Sequence, residues 1–165
     1  MSSTTKVCPM GKVGCRVLSM LLWSWGGTVY FLLEVAFKTL TGHPERISWT
    51  MLVVAILLTI PVERAGEQLP WAVPLWLQAL VCAALVTAVE LAAGCVINLW
   101  LGLGVWDYSN LPGNLLGQIC PQYSALWFVL CLVFIPVFDL MRYAVKGGER
   151  PHYNLEVRLC RVLGK

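Results

Sequence analysis

Charge is scarce in this chain. Asp, Glu, Lys and Arg make up 13% of its 165 residues, where a soluble domain carries about 25%. So few ionic side chains cannot coat a water-soluble globule. With 58% hydrophobic residues and a mean hydropathy of +0.72, the lipid bilayer is the solvent that fits. The net charge is only +3. Its Lys and Arg residues lie between or beyond the apolar segments, which argues against a nucleic-acid partner. Histidine occurs twice, at His43 and His152, and the seven cysteines form no C-x-x-C. No metal site is therefore expected, and the odd cysteine count argues against a fully paired disulfide framework. There is no G-x-x-x-x-G-K-[ST] phosphate loop, no H-E-x-x-H and no Ser/His or Cys/His nucleophile arrangement. The chain is not expected to be an enzyme, to hydrolyse ATP or to carry a cofactor.

The apolar segments fill most of the length. About 20 apolar residues cross the hydrocarbon once, so the expected fold is all-α, a polytopic membrane helical bundle of about four transmembrane helices. Residues 1–16 read as a cytoplasmic N-terminal segment, 17–143 as the bundle and 144–165 as a basic cytoplasmic tail. The first span runs from Val17 to Phe37 and lacks an A-x-A-like cleavage site, so it reads as an uncleaved helix. The second runs from Ile47 to Val62 and is read as ending at Pro61, with Glu63, Arg64 and Glu67 in the following loop. The third, Pro74 to Leu103, is longer than the hydrocarbon requires and must tilt, project, or bend near Gly94. The fourth runs from Tyr123 to Tyr143. Near its end, Asp139 and Arg142 stand one turn apart, as a local interfacial ion pair would. In the tail, Tyr153 to Leu163 mixes apolar and basic residues; an interfacial amphipathic helix and an unstructured tail both fit.

With the N-terminus inside and four crossings, ten of the twelve Lys and Arg residues fall on the inner side and two, Lys38 and Arg46, on the outer. That bias is the one the positive-inside rule selects, and it predicts both termini in the cytoplasm.

Two acids interrupt the apolar runs. Glu34 lies in the first span and Glu90 in the third, where a carboxylate costs roughly 3 kcal/mol on insertion scales. Such residues are expected to face the bundle interior. On a helical wheel Thr87, Glu90, Gly94 and Asn98 share a sector of roughly 80°, which Ala79 and Ala83 extend. In the first span Gly27, Tyr30, Glu34 and Lys38 form a related stripe, with Glu34 and Lys38 in the favourable i,i+4 order. Both acids fall at similar depth in the outer half, where they can flank one polar cavity. Tyr30, Glu34, Thr87, Glu90 and Asn98 are the candidate cavity or ligand residues. Two roles fit them: handling a proton, cation or ligand, or a structural network in which Glu90 bonds Tyr30, Asn98 or backbone.

The stretch Trp106–Gln122 (WDYSNLPGNLLGQICPQ) is rich in turn formers and hydrogen-bonding side chains. Irregular backbone near membrane depth must be buried in protein or line water. A structured loop is expected between the third and fourth spans, with Trp106, Asp107, Tyr108, Ser109 and Asn114 shaping the outer wall. It serves either as a closing cap or as a lid facing a substrate.

The segment from Glu90 to Trp127 also resembles the signature region of the type IV ABC-transporter (CmpB-like) membrane proteins. The matching positions are Glu90, Gly94, Trp106, Asp107, Tyr108, Ser109, Pro112, Asn114, Gly117, Ser124 and Trp127, and Glu34 fits as well. Roughly 100 residues are covered. One departure is that many members carry an Asn-Arg-Gly-Phe segment after the first span, where this chain has Ser48-Trp49-Thr50-Met51. The resemblance implies a permease-like or accessory transport subunit in a bacterial cytoplasmic membrane, with a separate ATPase subunit as partner. It brings no catalytic residues. Four spans make a thin conduit, so a homo-oligomer is compatible with it. The alternative is a non-transporting scaffold or sensor that binds lipid or partner helices.

Overall fold

A computed structural model describes residues 12–42, 47–146 and 150–153; the side chains of residues 12, 65–67 and 146 are not described. Four α-helices and no strand occur among the described residues: α1 (Lys12–Leu40), α2 (Thr50–Gln68), α3 (Leu75–Gly94) and α4 (Pro121–Lys146). This is the helical membrane bundle expected. The amphipathic segment read at 153–163 lies outside the described residues apart from Tyr153.

By length and composition, three stretches among the described residues can cross a membrane: Val13–Leu40, Leu75–Trp100 and Pro121–Val145. Their outward faces carry exposed Leu21, Leu32, Phe37, Leu85, Val129 and Val133. Apolar residues on the outside of a helix bundle suit acyl chains rather than water. The fourth helix, α2, falls short by this measure because its last turns carry charge. It is nonetheless the centre of the bundle, packing on α1, α3 and α4.

The second span does not end at Pro61. The helix continues to Gln68 with Pro61 inside it. A membrane helix tolerates an interior proline when neighbours supply the lost contacts. Met51, Val54, Ala55, Leu58, Thr59, Val62 and Glu63 are all buried, one stripe at helical spacing that runs straight through the proline. The Thr59 hydroxyl points at two carbonyls, Ile56 O at 2.7 Å and Trp23 O at 3.1 Å, and so ties α2 to α1. Beside it the helices nearly touch. A Cβ added to Gly27 would stand 2.7 Å from the backbone N and Cα of Ile56. Only glycine permits that approach, the means by which small residues pack helices in lipid.

The buried face of α3 consists of Gln78, Ala79, Cys82, Ala83, Val86, Glu90 and Gly94. Small side chains make up most of it, which lets α2 and α4 come close. After Gly94 the α-helix gives way to a π-helix over Cys95–Trp100. The change of geometry begins beside Gly94, where a bend is one of the three ways open to the overlong third span. Cys82, Cys95, Cys120 and Cys131 are free thiols.

Candidate functional site

The loop after the π-helix folds on its own hydrogen bonds. Asn98 anchors it: its Oδ1 accepts from Val105 N at 2.8 Å, and its Nδ2 donates to Gln118 Oε1 at 2.7 Å. Trp106 is buried and donates through Nε1 to Gln118 O at 3.1 Å. Asp107 accepts from both Ser109 N (2.8 Å) and Ser109 Oγ (2.5 Å), an Asx-type turn. Asn114 donates to Leu111 O and Ser109 O and accepts from Gly117 N. Gly117 has φ +67°, and a Cβ there would collide with Ser109 and Asp107. The Asp-Tyr-Ser corner therefore closes on Gly117, with Tyr108 N donating to Gly117 O at 2.8 Å.

Beneath this loop lies a cavity of about 520 Å³. Both intramembrane glutamates line it, Glu34 from α1 and Glu90 from α3. α1 also contributes Tyr30 and Lys38, the loop Trp106, Asp107 and Tyr108, and α4 Tyr123 and Trp127. Its wall is mainly aromatic and aliphatic, with the ionisable groups set into it. Glu34 Oε1 pairs with Lys38 Nζ at 3.2 Å, one turn on, as the i,i+4 order predicts. Lys38 Nζ also donates to Val105 O at 3.3 Å and so ties α1 to the loop.

Glu90 is 5% exposed and is held differently. Trp127 Nε1 donates to its Oε2 at 2.8 Å and Tyr108 OH to its Oε1 at 3.3 Å. Its partners are thus neither Tyr30 nor Asn98 but two aromatic residues of α4 and the loop. Each is braced in turn. The Trp127 ring lies 5.0 Å from Tyr30, and Tyr108 stacks on Tyr123 at 4.5 Å with a 17° tilt. Burial, with the Glu90 carboxylate next in weight, pushes the Tyr108 phenol well above its ordinary range, so the hydroxyl stays a donor.

The remaining candidates stand outside this wall. Thr87 donates to Ser124 Oγ at 3.3 Å, joining α3 to α4. Asn98, Ser109 and Asn114 knit the loop rather than face the cavity. Asn110 and Leu111 do line it, though neither was singled out in the sequence.

A second polar cluster, not evident from the sequence, occupies the opposite end of the bundle. Glu63, expected in a loop, is fully buried. Its carboxylate accepts from Arg142 Nε (3.1 Å) and Nη2 (3.0 Å), Ser19 Oγ (3.3 Å) and Trp23 Nε1 (3.1 Å). Arg142 Nη2 also donates to Glu63 O at 2.6 Å. The Asp139–Arg142 pair exists, at 2.7 Å, but it is buried and shared rather than a lone interfacial contact. Tyr153 donates to Asp139 Oδ2 at 2.5 Å, and its ring and that of His152 pack on Trp71. Burial and the Asp139 carboxylate raise the Tyr153 phenol above its ordinary value. The available signal was the buried stripe of α2 continuing past Pro61, together with Ser19 and Trp23 at i,i+4 on α1.

No metal-holding group of three or more His, Cys, Asp or Glu occurs among the described residues. No curated protein and no solved structure matches the chain. The family model described as "Putative ABC-transporter type IV" matches residues 17–147, which takes in α1 from residue 17, the other three helices, both acids of the cavity and the whole loop. The chain therefore belongs to that ABC-transporter type IV family.

Proposed function

We propose that this protein is a permease-like or accessory subunit of a transport system in a bacterial cytoplasmic membrane, and that it works beside a separate ATPase. In this reading α2 completes four crossings and both termini face the cytoplasm. The charged turns of α2 are compatible with a crossing because Arg142, Ser19 and Trp23 shield Glu63 inside the protein. The excess of Lys and Arg on one side supports the orientation. A reporter fused after Lys165 is expected to be active only as a cytoplasmic fusion; activity of a periplasmic reporter at that point would reverse the topology.

One observation carries the transport reading. A cavity large enough for a small solute gathers acids from two separate helices beneath a folded loop. Helices rarely hold such groups in hydrocarbon without use. These 165 residues contain no phosphate loop, which supports a separate subunit as the source of ATP hydrolysis. The complex extracted gently from native membranes is expected to contain a P-loop ATPase. Glu90→Gln, which keeps the side chain's shape, is expected to slow its ATP turnover by about tenfold, or roughly 1.4 kcal/mol of barrier, with thermal stability near that of the native complex.

A scaffold or sensor is the second reading. It is favoured by the way both Glu90 oxygens are already met by Trp127 and Tyr108, as in a brace. It predicts the opposite pattern for Glu90→Gln: a lowered melting temperature and unchanged ATP turnover.

A further inference from the structure

The two acids of the cavity are not balanced alike. Glu34 has an ammonium partner in Lys38. Glu90 has two neutral donors and, among the described residues, no ion pair. Both glutamates line the cavity, and of the two only Glu34 has an ammonium beside it among the described residues. Glu90 therefore presents the space with an acid that no described cation offsets.

Its rings point the same way. Tyr30 and Trp127 form one packed pair, Tyr108 and Tyr123 another, and Glu90 bonds one member of each. The carboxylate thus cross-links two aromatic pairs that both border the same space. Aromatic faces carry negative potential and attract cations, most strongly where water is displaced, and aromatic cages are a recurring solution for alkylated ammonium groups. A hydrated metal ion would need a ring of oxygen ligands, and the largely apolar wall does not supply one. A cavity of about 520 Å³ is also far larger than a bare ion requires.

We propose that this cavity binds an organic ammonium group with an apolar body, its positive head between Glu90 and the rings of Tyr30, Tyr108, Tyr123 and Trp127. This names the ligand class for the transport reading and rests on that reading only for what becomes of the ligand after binding. The same head-group chemistry is offered by soluble quaternary or alkylated amines and by amine phospholipids.

The test uses three solutes of one shape: choline, the uncharged 3,3-dimethyl-1-butanol and the anionic 3,3-dimethylbutanoate. Each is titrated by calorimetry into the full-length protein in nanodiscs. Choline is expected to bind about tenfold or more tighter than either analogue. Glu90→Gln and, should that variant fold poorly, the more exposed Glu34→Gln are expected to weaken choline and leave the alcohol unaffected. Equal binding of choline and the alcohol, preference for the anion, or choline binding unchanged in well-folded carboxylate variants would each overturn the proposal. Repeating the titration in phosphatidylethanolamine and in phosphatidylglycerol nanodiscs identifies the source. Competition by the amine lipid marks a lipid head group, and equal affinity in both marks a soluble amine; either supports the ammonium site. Uptake into proteoliposomes then separates the two ideas. Selective choline binding with no uptake of any solute sinks the transport reading and leaves the site standing. Glu90-dependent uptake of a neutral or anionic solute, without choline binding, does the reverse.

Discussion

Arg142→Met is expected to destabilise the bundle by roughly 3–5 kcal/mol, the cost of leaving one member of a buried ion pair without its partner. The guanidinium is the hub of the end opposite the loop. It donates to Glu63 Oε1, to Glu63 O and to Asp139 Oδ1, and so joins α2 to α4. Among the described residues, removing it leaves Glu63, fully buried, with the neutral donors of Ser19 and Trp23 alone. The carboxylate must then take up a proton or draw in water, and either loosens the contact of α1, α2 and α4. Reversible unfolding in mixed micelles, followed by circular dichroism, measures the loss. The triple variant Glu63→Gln, Asp139→Asn and Arg142→Met is expected to recover much of it, because removing the guanidinium together with both of its carboxylates can be nearly neutral where removing one member is not. If the single variant unfolds at the same denaturant mole fraction as the native protein, the cluster contributes no stability and its burial needs another explanation.

Gly27→Val is the second large effect. The added Cβ would sit 2.5 Å from Ile56 Cγ1 and 2.7 Å from the Ile56 backbone. A side chain can turn away, but the backbone of a packed helix cannot move without taking its neighbours with it. Overpacking of this kind costs about 1–3 kcal/mol in ordinary cores, and the upper part of that range applies because the clash is with main chain. The consequence reaches the cavity. α1 has its broad contact with α2 and carries Tyr30 and Glu34 one and two turns beyond Gly27. Splaying α1 from α2 should pull these residues from Trp127 and from Lys38's anchor on Val105. The check is twofold: a lower unfolding midpoint, and weaker choline binding even though every cavity residue is intact. Gly27→Ala should show the same signs at smaller size. An unchanged midpoint in the valine variant would mean that the two helices sit farther apart than the structure places them.

What could be read from the sequence was the part that depends on one helix at a time. The Glu34–Lys38 pair follows from i,i+4 spacing. The face bearing Ala79, Ala83, Glu90 and Gly94 follows from a 3.6-residue period. The folded loop follows from its density of Asp, Ser, Asn, Pro and Gly, whereas the excess length of the third span leaves tilt, bend and projection all open and does not announce the π-helix. Contacts between helices follow no such rule. Glu90 finds Trp127 37 residues later and Tyr108 18 residues later, and nothing in the local pattern of either ring announces a bond to that acid. Thr87 and Asn98 share the wheel sector of Glu90. Yet the π-helix and the crossing of α4 turn one toward Ser124 and the other toward Gln118. Glu63 reads as a loop residue because Pro61 is a helix stop in water; within a bundle its neighbours keep the helix going.

The π-helix at Cys95–Trp100 makes this stretch sensitive to length more than to composition. A π turn accommodates a residue that an α turn would not. Add a second residue there, which the turn has no room to absorb, and everything downstream is rotated by about 100°. Asn98 would then lose its aim at Val105 and Gln118, and the Trp-Asp-Tyr-Ser corner would swing off the mouth it covers. Swaps of Val96 or Leu99 for other greasy residues leave that pointing intact. In this part of the chain, counting residues matters more than naming them.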